Sequence, residues 1–524
     1  MPTDIAKIAE DSTRGTFFLA TGSIFSTIIS AIAVFIIARL LGAELYGVYT
    51  VSLTVPSLLL LFVDFGVDRA LIRFSANLHA KDANESLAKM LRYGILFKTL
   101  VGITIFSISL LLSDYLAMYI IARPDYGIYI RLGSLAIIFQ IIFNTVGAVF
   151  IGLDHMEYSA LATNIQALVK AVVSSLLVVL GFSVMGAITG FVVSYLIAGL
   201  FSGGLFFIKL YKPLNLSKHE DELTSPLKTM LSYGFPLYIS TLLFGASSQL
   251  QNVILAIFTS DVDVGNFKAA LNFVALLTAL TGPVVMALLP AFSKLDKDDD
   301  QVKTFFTLTT KYMSLLMVPA ITIIIIFSKE LIDIIYGTSF LSAAFFLSLS
   351  AIPFFLVSLG RFTLGSLFNG LGETKATLKM TLINFIVFIS LAPLLTKTHN
   401  VPGLIIALLF SGSASTILGA YMAKTKFDAQ PDYKNMVKIY VVASISALPA
   451  LLTIHFLPLQ PLLKVLVGSS TYLFTYATII PLVRIINGAE LEGICQTINK
   501  IRLLKSLAKP LLTYTRKLTA KMER

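Results

Sequence analysis

The 524-residue chain is 56% hydrophobic and only 13% charged, with a formal net charge of +11, against roughly a quarter charged in an ordinary soluble domain. That balance excludes a soluble globular protein, and apolar runs near 20 residues, each able to cross about 30 Å of hydrocarbon, recur from end to end. Cys495 is the one cysteine, which excludes an intramolecular disulfide, and the five scattered histidines offer no metal-ligand spacing.

The first residues, MPTDIAKIAEDSTRG, lack the basic-then-apolar order of a cleavable signal, so 1–15 reads as a cytoplasmic segment and the first span as its own targeting signal. Fourteen spans follow, at 16–38, 47–68, 90–120, 128–152, 158–182, 184–209, 231–258, 265–292, 305–327, 343–369, 377–396, 402–423, 436–457 and 463–484. Several exceed 23 residues, which implies tilt or extension beyond the bilayer. The fold class is therefore all-α and polytopic.

Lysine and arginine set the topology. With the N-terminus inside, nineteen fall in inner loops and seven in outer ones, namely Arg39, Arg123, Arg131, Lys268, Lys329, Lys397 and Lys464. Both termini are expected in the cytoplasm of a multi-pass cell-membrane protein. The tail, 488–524, alternates apolar residues with lysine and arginine and reads as an amphipathic helix on the anionic inner surface, broken near Pro510. Membrane topology thus accounts for the basic charge, and nucleic acid is not an expected partner.

The stretch FNGLGETKATLK, 368–379, superficially suggests a phosphate loop. A P-loop needs four residues between its outer glycines and then Lys-Ser/Thr directly. Gly370 and Gly372 are followed instead by Glu373-Thr374-Lys375-Ala376, which fits no such register. A second copy of the motif explains it better. Phe150, Gly152 and Leu153 return as Phe368, Gly370 and Leu371 at an offset of 218. At the same offset, within one residue, Gly47-Val-Tyr49 pairs with Gly265-Asn-Phe267, Phe74-Ser75 with Phe292-Ser293, Arg92-Tyr93 with Lys311-Tyr312, Thr163 with Thr381, Ile165 with Ile383, and Gly186 with Gly403.

Spans 7–12 therefore read as a repeat of spans 1–6, and FNGLGETKATLK as the cytoplasmic turn between spans 10 and 11. An even number of spans per copy gives both copies one orientation. They are then expected to be related by a pseudo-two-fold axis along the membrane normal, with alternating access by rocking of two lobes. The predicted layout is a first lobe at 16–211, a linker at 212–228, a second lobe at 229–425, two extra helices at 435–485 and the basic tail.

ARLLGAELYGVY at 38–49, VDFGVDRALIRFSA at 63–76, LSYGFPLYIS at 231–240 and LIDIIYGTSFLSAAFFL at 331–347 resemble the polysaccharide and oligosaccharide flippases of the multidrug/oligosaccharidyl-lipid/polysaccharide exporter superfamily. The resemblance covers nearly the whole chain, including the count of spans. It implies transfer of a polyprenyl-(di)phosphate-linked oligosaccharide from the inner to the outer leaflet. It implies a monomer among membrane lipids, without cofactor or metal, working beside glycan-assembly enzymes. The alternative is a cation-coupled drug or metabolite antiporter of the same superfamily. Its drug exporters usually have twelve spans and its sodium-coupled members often carry an acid in the first span, whereas TFFLATGSIFSTIISAIAVFIIA has none. An integral-membrane enzyme is the third class; short outer loops and the absence of a catalytic constellation count against it.

A charge at mid-membrane costs roughly 2.5–3.5 kcal/mol on insertion scales, so such residues usually face a bundle interior or a cavity. Lys98, Lys170 and Arg361 stand out in spans 3, 5 and 10. As substrate-binding residues they would meet the lipid's phosphate, arginine through a bidentate fork and lysine as a compact charge. For Lys98 the competing reading is snorkelling to the nearby inner boundary; for Lys170 and Arg361 it is a structural ion pair. Asp64, beside Asp68, Arg69 and Arg73, reads as a structural salt bridge or a coupling site. Gln140, Asn144, Asn164, Gln166, Gln249, Asn252, Asn272 and Asn384 either line a saccharide path or make interhelical hydrogen bonds worth about 0.6 kcal/mol each. Gln166 and Asn384 occupy equivalent positions in the repeat.

Overall fold

A computed structural model describes residues 2–212, 226–297, 300–456 and 458–486, with a few isolated positions beyond. The predicted linker falls largely outside these residues, as does most of the basic tail. Among the described residues every regular element is helical, as an apolar bilayer requires of a chain that must satisfy its own backbone hydrogen bonds.

In order the helices are α1 (Pro2–Ser52), α2 (Thr54–Leu60), α3 (Val67–Ala80), α4 (Asn84–Leu111), α5 (Ser113–Tyr119), α6 (Gly127–Gly152), α7 (Met156–Val169), α8 (Ser175–Leu177), α9 (Ser183–Leu205), α10 (Pro226–Phe258), α11 (Asp261–Phe292), α12 (Asp300–Ile326), α13 (Ser328–Tyr336), α14 (Ala343–Ala351), α15 (Leu364–Gly370), α16 (Thr374–Phe427), α17 (Tyr433–Phe456) and α18 (Pro461–Leu482). Large apolar side chains such as Leu111, Phe182, Phe244 and Phe456 remain exposed on them, the pattern of helices solvated by lipid rather than water.

Among the described residues, nine helices are long and apolar enough to cross a membrane, or up to eleven if each of two bent pairs counts as one span. The sequence reading of fourteen is reached only by also counting three of the nine as two spans each. Continuous helix runs over Met156–Tyr211 and Thr374–Phe427, 56 and 54 residues. A straight rod of that length would reach about 80 Å, far beyond one bilayer. Both break where the sequence reading places a turn. Gly181 (φ 93) and Ser183 (φ 50) interrupt the first, and His399 and Asn400 (φ 51) the second. Gly42 (φ 75) interrupts α1 in the same way. Positive φ cannot propagate an α-helix, so each position redirects the chain.

The chain forms two compact units, Met1–Asn272 with Phe388–Leu404, and Phe273–Val387 with Ile405–Arg524. This division differs from the predicted lobe boundary, because α10 and the start of α11 join the first unit. The cause is close packing of α10 on α2, α3 and α4. Gly66 and Gly234 have no side chains to separate them; a Cβ on Gly66 would stand 2.1 Å from the Gly234 carbonyl oxygen. The Tyr238 hydroxyl donates to the Leu61 carbonyl at 2.8 Å, and Arg73 lies 4.2 Å from the Tyr233 ring centroid.

Each unit's core uses the repeat. In the first, Ala70, Val146, Val149, Phe150 and Leu153 are buried together. In the second, Leu288, Leu364, Leu367, Phe368 and Leu371 are buried together, and every one sits 218 residues after its counterpart. The turn that follows is built alike in both. His155 N–H donates to Phe150 O at 2.8 Å, and Glu373 N–H to Phe368 O at 2.7 Å, the wider bond of a Schellman cap. The left-handed residue this cap needs is Asp154 (φ 59) in one copy and Gly372 (φ 74) in the other. A Cβ on Gly152 would lie 2.7 Å from Ile72 O, and one on Gly370 2.9 Å from Leu289 O. The glycines of FNGLGETKATLK thus serve helix contact and chain reversal.

Candidate functional site

Two of the three predicted cations lie where the backbone departs from α geometry. After α7 the chain widens into a π-helical segment, Lys170–Ser174, a distortion that concentrates at functional sites. Its neighbour helps to set it, since a Cβ on Gly190 of α9 would stand 2.4 Å from Ser174 Cα. Ser174 Oγ also donates to Ala187 O at 3.2 Å. Lys170 Nζ sits 5.7 Å from the Phe191 ring centroid and has no carboxylate or hydrogen-bond partner among the described residues.

Arg361 lies in the second unit at a comparable irregularity. Ile352–Leu359 is a 3₁₀ segment entered through Pro353, and Gly360 (φ 90) ends it. The chain then bends by 44° into α15. The Arg361 guanidinium carbon is 5.5 Å from the Phe354 ring centroid. Gly412 makes room for it, because a Cβ there would meet Arg361 Nη1 at 2.7 Å. Arg361 also has no carboxylate partner among the described residues. Each of these cations rests on an aromatic face, which offers a partial counter-charge and leaves its N–H donors unspent.

Lys98 is placed differently. It is 3% exposed and bridges Asp64 at 3.1 Å and Asp68 at 2.6 Å. It is held by two carboxylates, unlike Lys170 and Arg361. Asp64 also accepts the Asp68 backbone N–H at 3.0 Å, in the first turn of α3. A cavity of about 750 Å³ opens nearby, lined by Phe65, Phe97, Leu231, Phe235 and Pro236, with Lys228 and Ser232 as its polar members. That lining suits hydrocarbon.

The amides divide. Gln166 donates to Ser194 Oγ at 3.0 Å, an interhelical bond between α7 and α9. Asn164 donates to Ala160 O of its own helix at 2.9 Å, leaving its side-chain oxygen buried without a partner. Gln140, Asn144 and Asn384 make no hydrogen bond among the described residues, and Asn144 is exposed. Asn272 donates to the Tyr46 hydroxyl at 3.2 Å. Asn252 donates to Gln249 Oε1 at 3.2 Å and accepts from Lys268.

Lys268 is the residue that sequence reasoning missed. Counted as an outer-loop cation, it lies two turns into α11, which begins at Asp261 rather than near 265. Its spacing of four from Asn272 was the available signal, since the two share a helix face.

Broken and bent spans, half-buried cations without carboxylates among the described residues and an apolar exterior together define a multi-pass transport-type membrane protein. A sequence profile described as "Polysaccharide biosynthesis protein" matches residues 12–296, more than half of the chain, and the chain belongs to that family. It is 21% identical over 430 residues to the lipopolysaccharide biosynthesis protein WzxC of Escherichia coli (strain K12), covering 79% of this chain and 81% of that one. Its fold is similar to that of the lipid II flippase MurJ in an inward closed conformation, with a TM-score of 0.72, 16% identity, and 88% and 99% of the two chains covered. A MATE-family multidrug resistance transporter of the MOP superfamily, facing inward, is similar at a TM-score of 0.63 and 18% identity, over 77% of this chain and 94% of that one.

Proposed function

We propose that the chain is a flippase, not an enzyme, and that it moves a polyprenyl-diphosphate-linked oligosaccharide from the inner to the outer leaflet by alternating access. It acts as a monomer of fourteen spans in the cell membrane, with both termini cytoplasmic and the two repeats as its lobes. The observation that carries this reading is the pair Lys170 and Arg361, each without a carboxylate, each against an aromatic ring and each on an irregular stretch of helix. Non-helical backbone within a membrane is tolerated where protein or water surrounds it, and transporter folds place substrate groups at such breaks. An anionic diphosphate satisfies these cations. The cationic substrate of a drug antiporter would be repelled by them.

An anionic lipid leaving a negative-inside cell gains about 2.3 kcal/mol per charge per 100 mV, so coupling ions are not strictly required. The test is outer-leaflet exposure of a fluorescent polyprenyl-diphosphate oligosaccharide in proteoliposomes. Native protein flips it; Lys170→Ala and Arg361→Ala, checked as folded by thermal melt, lose about tenfold or more, the equivalent of about 1.4 kcal/mol. Arg361→Lys falls between, having charge without the fork. Unchanged rates in both alanine variants would assign these cations to structure.

A further inference from the structure

Gly47 and Gly265, equivalent positions of the repeat, touch. A Cβ on Gly265 would stand 1.8 Å from Ala43 O and 3.1 Å from Gly47 N, and one on Gly47 would stand 1.8 Å from Asp261 O. Both lie at the end of their helices predicted to face outward. Arg123 braces the same end, donating to Thr259 O at 2.6 Å and pairing with Asp261 at 3.4 Å.

Lys268 lies one turn further along α11 from Gly265, and Asn272 a turn beyond it, both on the face that meets α1 through Gly265 and the Asn272–Tyr46 bond. Its ammonium has only donors, so the Asn252 oxygen must face it. That orientation turns the Asn252 amide nitrogen outward, and Gln249 must accept from it through Oε1. The remaining hydrogen-bonding capacity of the cluster therefore consists largely of donors, from the ammonium and the Gln249 amide. No carboxylate pairs with Lys268 among the described residues. The complement of a positively charged set of donors is an acceptor-only anion.

We infer that Lys268, Asn252 and Gln249 form a subsite for a carboxylate carried on the saccharide, so that the preferred cargo is an acidic glycan. This rests on the flippase reading, in which Lys170 and Arg361 already engage the diphosphate. Lys268 supplies a third cation, about 10 Å inside the start of α11 and one turn beyond the Gly47–Gly265 contact, towards the end predicted to face outward, where sugars rather than the lipid headgroup would reach first.

The experiment uses proteoliposomes with two fluorescent polyprenyl-diphosphate lipids, one carrying a uronic acid and the other its methyl ester. Native protein is expected to flip the acid several-fold faster than the ester. Lys268→Gln should slow the acid about tenfold and leave the ester unchanged, Lys268→Arg should keep most of the preference, and Gln249→Met should cause a smaller loss confined to the acid. Thermal melts establish that each variant is folded. Equal loss on both lipids would assign Lys268 to the diphosphate and overturn the inference, as would no loss on either. Native flipping of the ester alone would overturn it while leaving the flippase intact. Native flipping of neither would overturn the flippase reading, and this one with it.

Discussion

Replacing Lys98 by methionine keeps the length of the side chain and removes its charge. Two carboxylates then remain in place, Asp64 and Asp68, with side chains 29% and 23% exposed. Breaking a buried pair costs about 3–5 kcal/mol, mainly through the charge left behind. Partial exposure of both carboxylates puts this case near the lower figure, about a hundredfold in the unfolding equilibrium. Removing all three charges, as Lys98→Met/Asp64→Asn/Asp68→Asn, should restore near-native stability, because the asparagine oxygen at 64 still accepts the backbone N–H of residue 68. Asp68→Asn alone should cost little, since Lys98 keeps Asp64. The assay is thermal unfolding in detergent, with lipid flipping measured below every melting temperature. A Lys98→Met protein that melted like the native one yet failed to flip would refute the structural assignment. So would a triple variant as unstable as the single one.

The repeat predicts matched glycine effects. Gly152→Ala and Gly370→Ala should each cost about 1–3 kcal/mol by overpacking, since the new methyl group would meet backbone oxygen at 2.7 and 2.9 Å. Gly204→Ala meets nothing within 4 Å and should be neutral or slightly stabilising, which thermal melts would compare directly. At Gly372, where φ is 74° and space is open, asparagine should be accepted and valine rejected, as Asp154 already occupies the equivalent conformation. Glu373 holds Lys426 at 2.5 Å and Lys297 at 2.9 Å. Hydrogen bonds from those lysines, Lys426 first, keep its carboxyl down at about 2. The folded value lies below the ordinary Glu value near 4.3, so its stabilisation is present above that value and is lost as pH falls towards about 2. Glu373→Gln should melt earlier than native protein at pH 7 and lose less on acidification; identical melting curves across that range would refute the clasp.

The turn at 368–379 shows how far local pattern carries. Its exclusion as a phosphate loop needed only spacing, and its copy at 150–161 needed only an offset. Both caps and both buried phenylalanines then follow, because a Schellman cap and a close helix contact are set within a few residues. Helix content and the redirecting breaks at Gly42, Gly181 and Asn400 were legible for the same reason. Bilayer crossing depends on the hydropathy of contiguous residues, and helix reversal on one or two φ angles.

The three cations were not separable in this way. Lys98 and Lys170 are each the one lysine of an apolar span read from sequence, yet one bridges Asp64 and Asp68 while the other faces a ring. Lys268 was hidden by a helix start shifted a few residues outward, and its partner Asn252 lies on another helix. Membrane residence, the repeat and the presence of polar residues within apolar spans were determined by sequence alone, since these depend on composition and contiguous order. Which cation is paired with carboxylates and which rests on an aromatic ring was decided by tertiary structure. Ionic pairing acts over a few ångströms through space, and side-chain neighbours separated by 16 or 34 positions have no local signature.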